Sequence, residues 1–248
     1  MSVFSTNEAL CRVSHEFRNP LNAILAFGQL LELEELSGSQ RHSVEQILAG
    51  GRHLLGLVED LLDLSRLAGG NIELSQSPVD VRDEIAQVVA LCGPLAAEES
   101  LTLDIEAGRE PVWALADQRR LKQVLLNLIS NAIKYNRAGG SVTLQAFADG
   151  DDWVRIEVID TGLGMSPEEL GRLFTPFERL GAARRGVEGN GLGLAVSKGL
   201  AEAMGGTLEV VSSPGVGSAF SVCLPAVDLD TTREQLQPRA QLVLASAA

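Results

Sequence analysis

The stretch Ile156-Glu157-Val158-Ile159-Asp160-Thr161-Gly162-Leu163-Gly164-Met165 decides how the C-terminal two thirds of this chain fold. Three apolar, β-branched positions interrupted by one glutamate read as a buried strand, and the strand ends on a carboxylate followed by two glycines. Glycine directly after a strand permits positive φ and close backbone approach, so Asp160 arrives at a strand end where a ligand can reach it. A carboxylate there accepts from an exocyclic amine of a ligand. It serves equally well as the cap of a strand-end turn.

Similar strand signals surround this stretch. Ser141 to Phe147, Trp153 to Asp160, Thr207 to Ser212 and Ser218 to Leu224 are bounded by glycines, and Leu101 to Ala107 alternates. Between them, Asp80 to Glu99 reads as an amphipathic helix interrupted near Pro94, and Gln118 to Asn136 returns to helical spacing. Helices alternating with antiparallel hairpins predict an α+β fold, an α/β two-layer sandwich.

Before Ala68-Gly69-Gly70-Asn71 the pattern is helical throughout. Val44, Ile47, Gly51, Leu54, Val58, Leu61 and Ser65 recur in steps of three and four, flanked by Leu48, Leu55 and Leu62. Leu10, Val13, Phe17, Leu21, Ile24, Gly28 and Leu31 follow nearly the same rule, with a kink expected at Pro20. The break Ser37-Gly38-Ser39-Gln40 makes an antiparallel helical hairpin. Two such wide apolar faces are buried most economically in a homodimeric four-helix bundle formed through the hairpin. In that packing His15, two residues past Val13, points outward, and Asn19 lies one turn on along the same face. The predicted divisions are a hairpin over 1–68, a linker over 69–74, an α+β domain over 75–226 and a tail over 227–248 that lacks a core pattern and reads as mobile.

Composition narrows the function classes. The chain has 248 residues, a net charge of −13 and three cysteines. The acidic surplus argues against nucleic acid as a partner. Three cysteines far apart form neither a disulfide framework nor a zinc site, which points to a reducing, cytoplasmic setting. No run approaches the roughly 20 apolar residues of a membrane helix, so no membrane crossing is expected within this chain.

Two further clusters carry chemistry. Gly189-Asn190-Gly191-Leu192-Gly193-Leu194 opens a helix, and backbone N–H groups at a helix start that lacks Cβ atoms form an anion site. A dinucleotide fingerprint is excluded because no strand immediately precedes it and the third glycine is misplaced, and no Gly-Lys-Ser/Thr marks a Walker loop. Asn127, Asn131 and Lys134 share one helix face at spacings of four and three. Two amide oxygens for a magnesium ion and an ammonium for phosphates suit a polyphosphate. Loop capping by the asparagines is the alternative reading of the same residues.

Taken together these motifs resemble the sensor histidine kinases. Ser14-His15-Glu16-Phe17-Arg18-Asn19-Pro20-Leu21-Asn22 looks like their H-box, NLISNAIKYN (127–136) like the N-box, DTGLGM (160–165) like G1, LFTPFERL (173–180) like the F-box and GNGLGL (189–194) like G2. Order and spacing agree across residues 5 to 226. The resemblance implies a HisKA phosphoacceptor hairpin followed by a Bergerat-type domain binding ATP and Mg2+. It makes His15 the phosphoacceptor, Glu16 the carboxylate that orients its imidazole, and Asn19 the residue that in related proteins positions water for dephosphorylating a response regulator. By the same resemblance Asn131 ligates magnesium with Asn127, while Lys134 and Asn127 assist at the phosphates. Tyr135 packs near the base or ribose, and Asp160 reads the adenine amine beside Gly162 and Gly164. Phe177 and Arg179 belong to the F-box that anchors an ATP lid, and Gly189, Gly191, Leu192, Gly193 and Leu194 hold the phosphates. The implied partners are a response regulator receiver domain and an upstream sensor domain or sensor protein. Hydrolytic relatives of this ATP fold carry a glutamate at Asn127; an amide cannot act as a general base, which favours transfer to histidine over water. Asn190 departs from the usual Thr or Ser of G2, and Ser218 stands where Thr is common.

Overall fold

A computed structural model of the chain describes residues 3–107, 111–179 and 190–227, with side chains described from Glu16 onwards in the first helix. The described residues fall into two compact units. One comprises residues 3–73 with 175–179 and 190–196; the other comprises 74–174, less the undescribed residues, and 197–227. Of the tail expected over 227–248, all but Val227 lies outside the described residues, as does the segment 180–189.

The first unit is built on the antiparallel hairpin of α1 (Val3–Glu32) and α2 (Gly38–Ala68). Small residues let the two helices close. A Cβ on Gly28 would stand 2.6 Å from Leu48 Cδ2, and one on Gly51 would stand 2.9 Å from Leu25 Cδ2, so each leucine is a knob seated over a glycine. Val44, Leu48, Gly51 and Leu62 of α2 and Leu21 and Gly28 of α1 are buried in this packing. The break expected at Ser37–Gln40 is displaced. The turn precedes it, and Ser37 and Gln40 instead form a capping box in which Gln40 N–H donates to Ser37 Oγ and Ser37 N–H donates to Gln40 Oε1 at 3.0 Å.

α1 runs without a break through Pro20, and α3 (Val81–Glu98) runs through Pro94, where an interruption was expected. Both prolines are exposed, as are Glu16 and Ala90 four residues before them, so the carbonyls left without a partner face water. Cys92 and Ala96 are buried on either side of Pro94 and hold the helix across it.

The second unit is a two-layer α/β sandwich. Its five-stranded sheet has the order β2 (Thr102–Ala107), β4 (Ser141–Asp149), β5 (Trp153–Asp160), β7 (Gly217–Pro225), β6 (Thr207–Ser213), with β2 parallel to β4 and every other pair antiparallel. Period-2 alternation buries Val142, Leu144 and Ala146 on β4 and Val154, Ile156, Val158 and Asp160 on β5. α3 and α4 (Gln118–Lys134) pack on the sheet, burying Val81, Ile85 and Val88 from one and Leu121, Leu125, Leu128 and Ile129 from the other. A two-stranded ribbon of β1 (Ser77–Asp80) and β3 (Trp113–Ala116) was not expected. Its strands of four residues are too short to give a periodic signal. The remaining elements are α5 (Pro167–Leu170) and α6 (Gly193–Ala203).

Candidate nucleotide and phosphoacceptor site

Asp160 is the last residue of β5, and the alternation that buries Val158 and Ile156 carries its side chain to the same face, where it is 8% exposed. Its Oδ1 accepts the N–H groups of Gly162 at 2.8 Å and Ser218 at 3.2 Å, because the β5–β7 register sets Ser218 opposite it. Burial pushes the Asp160 carboxyl up, against the lowering effect of those donors. Oδ1 is therefore committed to backbone donors, and the side-chain hydroxyl of Ser218 also hydrogen-bonds the carboxylate.

The glycines after Asp160 have separate tasks. A Cβ on Gly162 would collide with the Tyr135 carbonyl, and Leu163 N–H donates to that same carbonyl at 3.1 Å, tying the turn to the end of α4. Gly164 has φ +63°, and a Cβ there would collide with the Ser213 carbonyl; Gly215 N–H donates to Leu163 O at 2.7 Å from the opposite side. The turn is thus gripped between α4 and the β6–β7 connection.

On α4, Asn127 Nδ2 donates to Ser197 Oγ at 2.8 Å, and Asn131 Nδ2 meets Asn127 Oδ1 at 3.5 Å. The two amides are one helical turn apart and half-buried, while Lys134 is exposed and Tyr135 half-buried at the helix end. Amide oxygens are hard donors that fit a magnesium ion sharing its remaining positions with phosphates and water. Among the described residues no group of three or more His, Cys, Asp or Glu could hold a metal. Ser197 and the Ser218 amide escaped the sequence reading, since each is brought to its partner only by tertiary contact.

The other compact unit holds the remaining candidates. Glu16 and Asn19 are exposed on α1; His15 lies within the same helix, its side chain outside the described residues. Phe177 has φ +65°, unusual for a side chain of its size, and is 65% exposed. Its N–H donates to Gly191 O at 2.9 Å. Gly191, at φ +70°, leaves no room for a Cβ, which would stand 2.6 Å from Glu178 O. Arg179 is exposed, Leu192 is buried, and Gly193 and Leu194 begin α6. Gly189 lies outside the described residues.

Comparison with known proteins agrees with this arrangement. Residues 5–70 match the model of the His Kinase A (phospho-acceptor) domain, and residues 116–228 match that of the histidine kinase-, DNA gyrase B-, and HSP90-like ATPases. The Non-motile and phage-resistance protein of Caulobacter vibrioides is 39% identical over 227 residues, covering 88% of this chain and 27% of that protein. Histidine protein kinase DivJ of the same organism is 36% identical over 221 residues, covering 88% of this chain and 37% of that protein. The crystal structure of full-length ShkA in complex with AMPPNP superposes with a TM-score of 0.76 at 39% identity, covering 89% of this chain and 46% of that one. The chain thus spans less than half the length of each of these relatives.

Proposed function

The chain belongs to the sensor histidine kinases, and we propose that it transfers the γ-phosphoryl group of ATP to His15 and then to an aspartate on the receiver domain of a response regulator. The observation that carries this reading is the presence of both matched domains in one chain, a phosphoacceptor hairpin at 5–70 and an ATP-binding domain at 116–228.

In the proposed reaction Nε2 of His15 attacks the γ-phosphorus. An N–P bond forms, the bond from phosphorus to the β–γ bridging oxygen breaks, and ADP leaves with the electron pair. Glu16 accepts the Nδ1–H and offsets the imidazolium charge. Asp160 accepts from the adenine amine, and Tyr135 lies against the base or ribose. Asn131, with Asn127, would hold a magnesium ion, which when bound offsets charge on the phosphates. Lys134 and Arg179 add positive charge, and the N–H groups at Gly191, Leu192, Gly193 and Leu194 face the phosphates at the start of α6.

The reading includes a homodimer. On α1 Phe17, Ile24 and Leu31, and on α2 Ile47, Leu54 and Leu61, are each more than 40% exposed and recur every seven residues. Two apolar rows of that period are what a four-helix bundle of two hairpins would cover. Among the described residues no helix is long and apolar enough to cross a membrane. We place the reaction in the cytoplasm, with the ATP pool and the receiver domain, and assign its input to an upstream sensor domain or sensor protein.

Incubation with γ-labelled ATP and magnesium tests the reading. An acid-labile, base-stable label on the wild type that is lost in His15→Ala supports it; label retained in that variant sinks the His15 assignment.

A further inference from the structure

Asn190 does two things with one amide. Its Oδ1 accepts the Leu192 N–H at 3.0 Å, forming the turn that leads into α6, and its Nδ2 donates to Asp60 Oδ2 on α2 at 2.8 Å. Both residues are half-buried and belong to the same compact unit, which groups 190–196 and 175–179 with the hairpin. The contact is built in from both sides. Directly after Asn190, Gly191 is wedged against the carbonyl of Glu178 and takes the Phe177 N–H on its own carbonyl. Beneath Asp60, the neighbouring Glu59 accepts from Arg18 Nη2 at 3.4 Å, and Arg18 lies three residues after His15, one turn along α1. Asp60, next to Glu59, therefore sits at the level of the helical turn of α1 that follows His15.

The residue type at 190 matters to this geometry. A threonine or serine hydroxyl has a single oxygen to cap Leu192 and to reach α2, whereas an asparagine divides the two tasks between an acceptor and a donor one bond further out. Burial, with the neighbouring Asp63 and Glu59, holds the Asp60 carboxyl above the usual carboxylate range, and the Asn190 hydrogen bond offsets only part of that rise.

We propose that Asp60 is a positioning residue for phosphoryl transfer, mooring the glycine loop through Asn190 to the hairpin at the level of His15. Its effect falls on the transfer step rather than on nucleotide affinity, because Asp60 touches the loop's side-chain anchor and leaves the backbone N–H groups of Gly191, Gly193 and Leu194 untouched. The inference rests on the kinase reading above.

The test uses the full chain and two readouts: the single-turnover rate of label transfer from γ-labelled ATP, and the Kd of Mg-ATP measured by displacement of a fluorescent ATP analogue. Asp60→Ala is expected to slow transfer about tenfold, the loss that goes with one charge-assisted hydrogen bond, with Kd within about twofold of wild type. Asp60→Asn keeps an acceptor for Asn190 and is expected to stay within about threefold of the wild-type rate. Asn190→Asp sets two carboxylates against each other and is expected to be the slowest variant. The double variant Asp60→Asn/Asn190→Asp reverses donor and acceptor and restores the rate relative to Asn190→Asp alone. A wild-type rate in Asp60→Ala, a faster rate, or a loss confined to Kd overturns the proposal, as does a double variant no better than Asn190→Asp. If the wild type itself takes no label, it is the kinase reading that falls; label in the wild type with an unchanged rate in Asp60→Ala removes only the role of Asp60.

Discussion

Replacing Asp160 by asparagine separates recognition of the base from stability of the fold. In the structure Oδ1 of Asp160 accepts two backbone N–H groups, from Gly162 at 2.8 Å and Ser218 at 3.2 Å. The asparagine oxygen takes over both, which leaves its Nδ2 where the second carboxylate oxygen stands. On the proposed reading that oxygen receives the exocyclic amine of adenine, so a donor then meets a donor. A hydrogen bond to a charged group contributes about 1.5–3 kcal/mol, which at RT of about 0.59 kcal/mol weakens Mg-ATP binding by about 13- to 160-fold. Stability moves the other way. Burial raises the carboxyl of Asp160 in the folded state above its unfolded value, so ionisation of this group costs stability at pH values above the folded pKa. That cost disappears as pH falls through the folded pKa. Asparagine carries no such charge, so the variant melts at or above the wild-type temperature at pH 7, and the difference shrinks toward pH 4. Calorimetric titration with Mg-ATP and thermal scans at both pH values read the two effects. A Kd within about threefold of wild type refutes the role of Asp160 as the amine acceptor. A melting temperature more than about 5 °C below wild type at pH 7 refutes the claim that the fold needs only the shared oxygen.

Two other perturbations follow from the same geometry. Gly164→Ala places a Cβ against the Ser213 carbonyl at φ +63°, and is expected to cost about 1–3 kcal/mol in strain and to lower the melting temperature with it; an unchanged thermal scan would show that the turn adapts. Ile47→Glu/Leu54→Glu changes two side chains that are each 51% exposed, four per dimer; at about 1 kcal/mol of half-burial each, the dimer Kd rises about a thousandfold, and light scattering that still finds a dimer at micromolar concentration would refute pairing through these rows.

The parts of this fold that were legible in sequence are those specified by neighbours along the chain. Seven-residue spacing exposed the hairpin, and Ile156–Ile159 followed by Asp160 and two glycines exposed the strand end that carries the carboxylate. Ser37 and Gln40 looked like a break because serine and glycine are turn residues, yet Ser-x-x-Gln is also a capping box, and the second meaning holds once the preceding residues make the turn. Pro94 looked like an interruption because proline removes a helix donor; tertiary anchoring by Cys92 and Ala96 outweighs that loss while the freed carbonyl is hydrated. The partners of the site residues are a different matter. Ser197 lies 70 residues from Asn127, Ser218 lies 58 from Asp160 and Asp60 lies 130 from Asn190, and no local pattern relates the members of these pairs.

Asn127 shows how such a partner bears on the chemistry. Its amide nitrogen donates to Ser197 Oγ at 2.8 Å, which orients the amide and turns Oδ1 toward Asn131. Neither end of that side chain can take a proton from water at neutral pH, since the amide nitrogen is a donor and the amide oxygen is far too weak a base. A glutamate in the same place would sit one turn from Asn131 with a carboxylate able to activate water beside the nucleotide. On the proposed reading, water near the γ-phosphate has no base from position 127, so ATP there would persist until a nucleophile that needs no general base from this position reaches it. A neutral imidazole is that kind of nucleophile, because its lone pair is available at pH 7 without prior loss of a proton. On the proposed reading, the identity of residue 127 and the hydrogen bond that fixes it direct the phosphoryl group to His15 and limit its loss to solvent.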